Sequence, residues 1–223
     1  MTATTKPKRR RRSDGLATRR RVLDVANELF AAGGYQATSL RQIAGAADID
    51  IATLKYHFDD KPTLFSMVYK EGHERFVSTL APITEQLEAA GTRQEVRDVV
   101  RVLVSTIHDF VEQNMEFVRL TMFRLLEESV DKIGLEDELQ EVIIQVLESK
   151  FIGLVERQVI EPVDARALVT FLISSFSMWQ ITARVRPNWV GAPAIESPAG
   201  RERSEMFFLS VIDRILGVEG SAT

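Results

Sequence analysis

Apolar residues in this chain return every three or four positions, and that spacing confines it to helices. Val22, Val25, Ala26, Leu29 and Phe30 form one stripe, and Val96, Val99, Val100, Leu103, Ile107, Phe110 and Val111 form a second. A third runs through Leu139, Val142, Ile143, Val146, Leu147, Phe151, Leu154 and Val155, and a fourth through Phe208, Val211, Ile212, Ile215 and Leu216. Each stripe is the buried face of an amphipathic helix. Beyond residue 80 no segment alternates with the period of two that a strand requires. An all-α protein is expected, and 223 residues allow one or two domains with a sizeable core.

Charge is distributed unevenly along the chain. Residues 1–70 hold 13 Lys/Arg against 7 Asp/Glu, a net of +6, while the remainder holds 15 against 25, a net of −10. A basic end on an acidic body suits a polyanionic partner at one end. The absence of cysteine excludes disulfides and thiolate metal sites and agrees with a reducing cytoplasm. The longest uncharged stretch, Ala167 to Ala183, is shorter than the roughly 20 residues of a membrane span and carries several hydroxyls, so a core helix is expected. Lys6 to Arg12 is followed by Ser13-Asp14-Gly15 and Arg19-Arg20-Arg21 rather than by an apolar run, which argues against a secretion signal. A cytoplasmic protein with no membrane partner is expected.

Residues 1–15 are poor in apolar side chains and read as a disordered basic arm. After the first stripe, Gly33-Gly34 suits a left-handed helix end. Ser39 and Gln42 then have the spacing of a capping box, and Leu40, Ile43, Ala44 and Ala47 supply a short second helix with its apolar face. Asp48-Ile49-Asp50 is a tight turn in which Asp48 tolerates a left-handed conformation and Asp50 caps a third helix. In that helix Leu54 and Phe58 share one side, while Ala52, Lys55 and Tyr56 point away. Asp60 caps a fourth helix with Pro62 in its first turn. Two short helices joined by a tight turn form either a DNA-reading unit or an ordinary helical hairpin of a bundle.

The stretch from Thr18 to Phe58 carries more than geometry. Leu29-Phe30, Gly34-Tyr35, Ala37-Thr38-Ser39, Arg41, Ile43-Ala44 and Thr53-Leu54-Lys55-Tyr56-His57-Phe58, followed by Lys61, resemble the TetR family of helix-turn-helix transcriptional regulators. The resemblance covers residues 16–76 and implies a DNA-binding domain there, with its motif at 39–58. It implies a homodimer on a palindromic operator in double-stranded DNA. It also implies a helical ligand-binding and dimerisation domain, 77–223, whose small-molecule effector shifts the dimer out of register. By the same resemblance Arg41 reaches a base edge, Ile51, Ala52 and Thr53 open the recognition helix, and Tyr56, His57 and Lys61 hold phosphates; Ser39 joins this DNA-binding set as the second helix's cap. Two positions depart from the family pattern: Asp48 stands where glycine is usual, and Lys55 where an aromatic residue is usual. A lysine there can read guanine or pair with phosphate. Arg9, Arg10, Arg11 and Arg12 of the arm are expected to track phosphates or enter the minor groove.

In the acidic body, the segment Arg166–Ala183 is apolar nearly all round, and Met206, Phe207 and Leu209 lie off the last stripe. Helices apolar on more than one face must bury the extra one, and a two-fold interface through the last two long helices does so. The intervening segment, 186–200, is expected to be a loop. Family analogy implies an effector pocket but not its lining; by residue type the candidates are His108, Phe117, Thr121, Met122, Phe123, Phe176 and Gln180, a set of aromatic, Met and polar residues suited to an apolar or amphipathic ligand. His57, His73 and His108 stand in no metal-ligand spacing, and no nucleophile elbow or phosphate-binding glycine loop occurs, so neither metal, cofactor nor enzyme is expected. The expected function is a ligand-released repressor. Regulation without a ligand, activation, an architectural DNA protein and a helical small-molecule carrier stand as alternatives.

Overall fold

A computed structural model describes residues 8–126, 134–191 and 193–217, and every regular element among them is a helix. In chain order these are α1 (Lys8–Ala37), α2 (Leu40–Ala46), α3 (Ile51–His57), α4 (Lys61–Ala89), α5 (Arg93–Gln113), α6 (Met115–Leu126), α7 (Leu135–Glu156), α8 (Ala165–Val185), α9 (Pro187–Val190) and α10 (Pro198–Leu216). The all-α class follows directly from the apolar spacing.

The helices form two compact units: residues 1–72 with 116–133, and residues 73–115 with 134–223. The expected boundary after residue 76 assigns α6 to the second domain by chain order. In the packing, residues 116–126 belong with the first unit, and Gly72 shows why. A Cβ on Gly72 would stand 2.1 Å from the Phe117 ring, so the bare backbone of α4 is what admits that ring.

In the first unit, α1 begins at Lys8, inside the segment expected to be a disordered arm. Arginine and lysine are good helix formers, and the stretch 8–14 contains neither glycine nor proline, so helix wins over coil there. The side chains of Arg9, Arg10, Arg11 and Arg12 lie outside the described part. Gly34 breaks the helix at φ 78°, ψ 170°, where a Cβ would be strained. The buried Thr38 hydroxyl donates to the Gly34 carbonyl at 2.9 Å and fixes the break. An aromatic cluster fills the core: Phe65 meets Phe30 at 5.3 Å, Tyr35 at 4.9 Å and Tyr69 at 6.0 Å, and Tyr69 meets Phe117 at 5.5 Å. The Arg124 guanidinium lies 5.1 Å from the Tyr35 ring and 5.2 Å from that of Phe65.

In the second unit α5 runs antiparallel to α10, since Arg97 pairs with Asp213 near one end and Asp109 with Arg201 near the other. His73 hydrogen-bonds the Leu139 carbonyl at 2.8 Å, and the Phe76 and Phe110 rings lie 4.9 Å apart. The buried faces are narrower than the stripes in the sequence. Val142 and Val146 of α7 and Ile215 of α10 are exposed, while Val104 and His108 join the core of α5. The segment 186–200 is not simply a loop. Pro187 opens the one-turn α9, and α10 starts as early as Pro198, where Ser197 accepts from the Gly200 amide at 3.1 Å.

At 21 residues α8 runs past both flanking arginines, longer than its uncharged stretch suggested, and by length and composition it could cross a membrane. One side of it packs within the second unit. Leu168, Val169, Phe176, Gln180 and Ala183 are buried, and Arg166 pairs with Glu141 and Glu148 of α7. Phe171, Met178 and Val185, spaced by seven, remain exposed along another side of α8, and Met206 and Phe207 are exposed on α10.

Candidate nucleic-acid interface

The pair α2–α3 is built by local bonds that the sequence spells out. The Gln42 amide donates to Ser39 Oγ at 3.3 Å and the Ser39 amide to Gln42 Oε1 at 2.8 Å, completing the capping box. Asp48 sits at φ 52°, so an aspartate occupies the left-handed turn position. Asp50 accepts from the Thr53 amide at 2.6 Å; that bond, and one from the Thr53 hydroxyl, hold its carboxyl below the usual range. Asp60 caps α4 in the same way, its pKa lowered by the Thr63 hydroxyl and then the Thr63 amide, which donates at 2.8 Å. The carboxylates also favour the positive N-terminal ends of their helices.

These caps fix which face of α3 looks outward. Leu54 and Phe58 are fully buried, and Arg19 of α1 clamps the buried side, its guanidinium 5.3 Å from the Phe58 ring and its Nη2 3.0 Å from Met67 Sδ. Opposite them Ile51, Ala52, Lys55 and Tyr56 are exposed, Tyr56 by 85%. Thr53 and His57 are half-buried at the edge, with the His57 ring 5.2 Å from that of Tyr56. Ser39 and Arg41 are exposed on α2 and its cap. Arg41 and Lys55 form no ion pair or hydrogen bond among the described residues, so both cations stand uncommitted, one on each of the two helices. Lys61 differs. Its Nζ lies 4.2 Å from the Tyr35 ring and 3.4 Å from the Gln36 carbonyl, which ties α4 to the end of α1. The run Arg19-Arg20-Arg21 gave a hint of its role only as charge. Its structural use, with Arg20 bridging to Asp24 at 2.8 Å and Glu71 at 3.0 Å, depends on contacts distant in sequence.

The seven candidate effector residues fall in different units. Phe117, Thr121, Met122 and Phe123 are on α6 in the first: Phe117 is core, Thr121 donates to the Phe117 carbonyl at 2.9 Å, Met122 is half-buried and Phe123 exposed. His108, Phe176 and Gln180 are buried together in the second, with the rings of His108 and Phe176 6.3 Å apart. Burial pushes the His108 pKa down, and Arg201 adds to that push. His108, Asp109 and Glu112 have ligand atoms within 4.8 Å of one another, a spacing compatible with a cation. Asp109, however, is committed to Arg201, whose charge opposes a metal there.

The comparisons with known proteins agree with this arrangement. A family model described as "Bacterial regulatory proteins, tetR family" matches residues 22–68, from the first stripe of α1 to the start of α4. The probable HTH-type transcriptional regulator YttP of Bacillus subtilis is 27% identical over 94 residues, 42% of this chain and 45% of the relative; over that match the chain spans less than half the length of its relative. The HTH-type transcriptional regulator RutR of Escherichia coli is 23% identical over 204 residues, covering 89% of this chain and 87% of RutR. Among solved structures, that of AibR in complex with isovaleryl coenzyme A and operator DNA has a TM-score of 0.64 at 17% identity, covering 87% of this chain and 97% of AibR. Residues 22–68 thus match the model of the tetR family of bacterial regulatory proteins, and nearly the whole chain shares its fold with AibR.

Proposed function

We propose that this chain is a sequence-specific, DNA-binding transcriptional regulator that acts in the cytoplasm as a homodimer, without catalysis. In this reading it represses from a palindromic operator and is released by a small molecule. The observation that carries the proposal is the outward face of α3: Lys55 and Tyr56 stand exposed, as does Arg41 on α2, with Arg41 and Lys55 uncommitted, on a helix whose opposite face is locked by Leu54 and Phe58. Side chains so placed on the second helix of a helix-turn-helix reach base edges and phosphates in a major groove. Residues 16–76 form the DNA-binding domain, and Arg9, Arg10, Arg11 and Arg12 add phosphate contacts. The exposed apolar residues of α8 and α10 (Phe171, Met178, Val185, Met206 and Phe207) supply the two-fold interface. YttP and RutR are named as transcriptional regulators, and AibR was solved in complex with isovaleryl coenzyme A and operator DNA, which supports both halves of the reading.

Lys55 separates base reading from backbone holding. Lys55→Ala is expected to cost about 1–3 kcal/mol at one base position and to relax the preference there. Tyr56→Phe is expected to weaken all sites alike, because a phosphate contact carries no sequence information. Selection from random DNA followed by titration of single-base variants measures both. Equal losses on every sequence for Lys55→Ala would make it a phosphate contact instead.

A further inference from the structure

Three helices of the second unit each bury a polar group that has no partner among the described residues. The atoms without a hydrogen-bond partner are both ring nitrogens of His108 on α5, Trp179 Nε1 and Gln180 Nε2 on α8, and Ser204 Oγ and Asp213 Oδ1 on α10; of these residues His108, Gln180 and Ser204 are the most deeply buried. All three residues are at most 1% exposed. Folds ordinarily satisfy such groups, and three together ask for an explanation.

The helix registers bring them to one level. α8 and α10 run antiparallel, with the Phe176 and Phe208 rings 4.7 Å apart, Trp179 stacked on Phe207 at 5.5 Å, and Arg184 4.0 Å from Glu196. Gln180 lies one turn beyond Phe176, and Ser204 one turn before Phe208, so the two face each other across that register. His108 reaches the same place from α5, its ring 6.3 Å from that of Phe176. The level therefore has polar sides and an aromatic floor of Phe176 and Phe208.

Its chemistry is that of a donor set without spare charge. Arg184 Nη1 donates to Gln180 Oε1 at 2.7 Å, which fixes the amide and leaves its NH₂ to donate elsewhere. Burial keeps His108 neutral near pH 7, so its ring offers one N–H and one acceptor. The charged groups around it are Arg201 and Glu205 from α10, Asp109 and Glu112 from α5, and Arg184 from α8. Arg201 is bound by Asp109, Glu205 and Ser105, and Arg184 by Gln180 and Glu196. An ionised carboxylate or phosphate would enter this level with no uncommitted cation to pair it, which burial penalises heavily. An uncharged carbonyl oxygen needs only N–H and O–H donors.

We propose that this level is the head-group subsite of the effector, and that it takes an uncharged carbonyl compound with an apolar tail, such as a ketone, ester or lactone. The carbonyl oxygen accepts from Gln180 and Ser204, and the tail lies on Phe176 and Phe208. The assignment rests on the ligand-gated part of the proposed function and narrows the ligand's chemistry.

The test uses the full chain with 2-nonanone and nonanoate, with binding read by calorimetry and tryptophan fluorescence, since Trp179 packs against Phe208 at 6.0 Å. The ketone is expected to bind saturably and at least tenfold tighter than nonanoate. Gln180→Leu is expected to weaken the ketone at least tenfold and, because it also removes the acceptor of Arg184, to lower the melting temperature of the free protein modestly. Ser204→Ala, which changes volume least, repeats the measurement should the leucine variant misfold. Failure of the ketone to bind, nonanoate binding as tightly, or undiminished ketone binding by both variants would overturn the subsite. Operator binding is titrated separately. A chain that binds the ketone but no DNA overturns the regulator and leaves the subsite standing, whereas one that binds DNA but not the ketone does the reverse.

Discussion

Phe65→Ala is expected to lower the unfolding free energy by about 3–5 kcal/mol, the range for emptying a buried phenyl site. Phe65 has no solvent exposure and sits among Phe30, Tyr35 and Tyr69, with the Arg124 guanidinium 5.2 Å from its ring. Truncation leaves a cavity lined by stiff aromatic rings, which collapse poorly, and it removes edge-to-face pairs worth about 0.5–1.5 kcal/mol each. Against a total stability of roughly 5–15 kcal/mol, the loss is large enough to show as partial unfolding on mild warming. Tyr56→Ala provides the contrast. That ring is 85% exposed, so its removal should move stability by no more than about 0.5 kcal/mol while weakening DNA binding. Denaturant unfolding followed by circular dichroism measures both. A loss below about 1 kcal/mol for Phe65→Ala would mean that the aromatic cluster is not the core of the first unit.

Gly200→Val is expected to cost about 2–4 kcal/mol, combining an overpacking penalty of about 1–3 kcal/mol with a lost helix cap worth about 1 kcal/mol. A Cβ at Gly200 would stand 1.9 Å from the Ala194 carbonyl oxygen and 2.5 Å from its carbon. Both are backbone atoms, so relief requires opening the turn from Ala194 to Ser197. That turn also holds the cap: Ser197 Oγ accepts from the Gly200 amide at 3.1 Å and lies 2.6 Å from the Ala194 carbonyl, to which it donates. At roughly 2–4 °C per kcal/mol for a chain of this size, the melting temperature should fall by about 5–15 °C. Gly153→Ala runs the other way. No atom lies within 4 Å of a Cβ at that helical position, so alanine should stabilise by about 0.5–1 kcal/mol. A valine at 200 as stable as the wild type would show that α10 does not start against Ala194.

The recognition pair was legible because its determinants are local. Ser39 and Gln42, Asp50 and Thr53, and Asp60 and Thr63 are each three residues apart, and the chain's own geometry forces their bonds. Asp48 could be assigned a left-handed turn for the same reason. What depended on distant contacts could not be read. Nothing near Gly72 announces that it makes room for Phe117, so the packing of α6 with the first unit is not encoded locally. Composition suggested coil before residue 15, yet composition does not weigh the helix propensity of an arginine run, and α1 begins at Lys8. Lys61 looked like a phosphate ligand in the motif, whereas the fold lays it on Tyr35. Of the effector set, His108 on α5 meets Phe176 and Gln180 on α8 through contacts distant in sequence, while Phe117, Thr121, Met122 and Phe123 lie on α6 in the first unit. Ser204 was not singled out at all; its burial is decided by the pairing of α10 with α5 and α8.

Whether two copies of α3 read one palindrome is decided by footprinting combined with the mass of the complex on a selected DNA site. A dimer on a palindrome protects an inverted repeat with half-site centres about 34–36 Å apart or slightly more, has a chain stoichiometry that is a multiple of two, and loses protection when the sequence is shuffled. Protection of a single half-site by one chain, or equal protection of shuffled DNA, would contradict it.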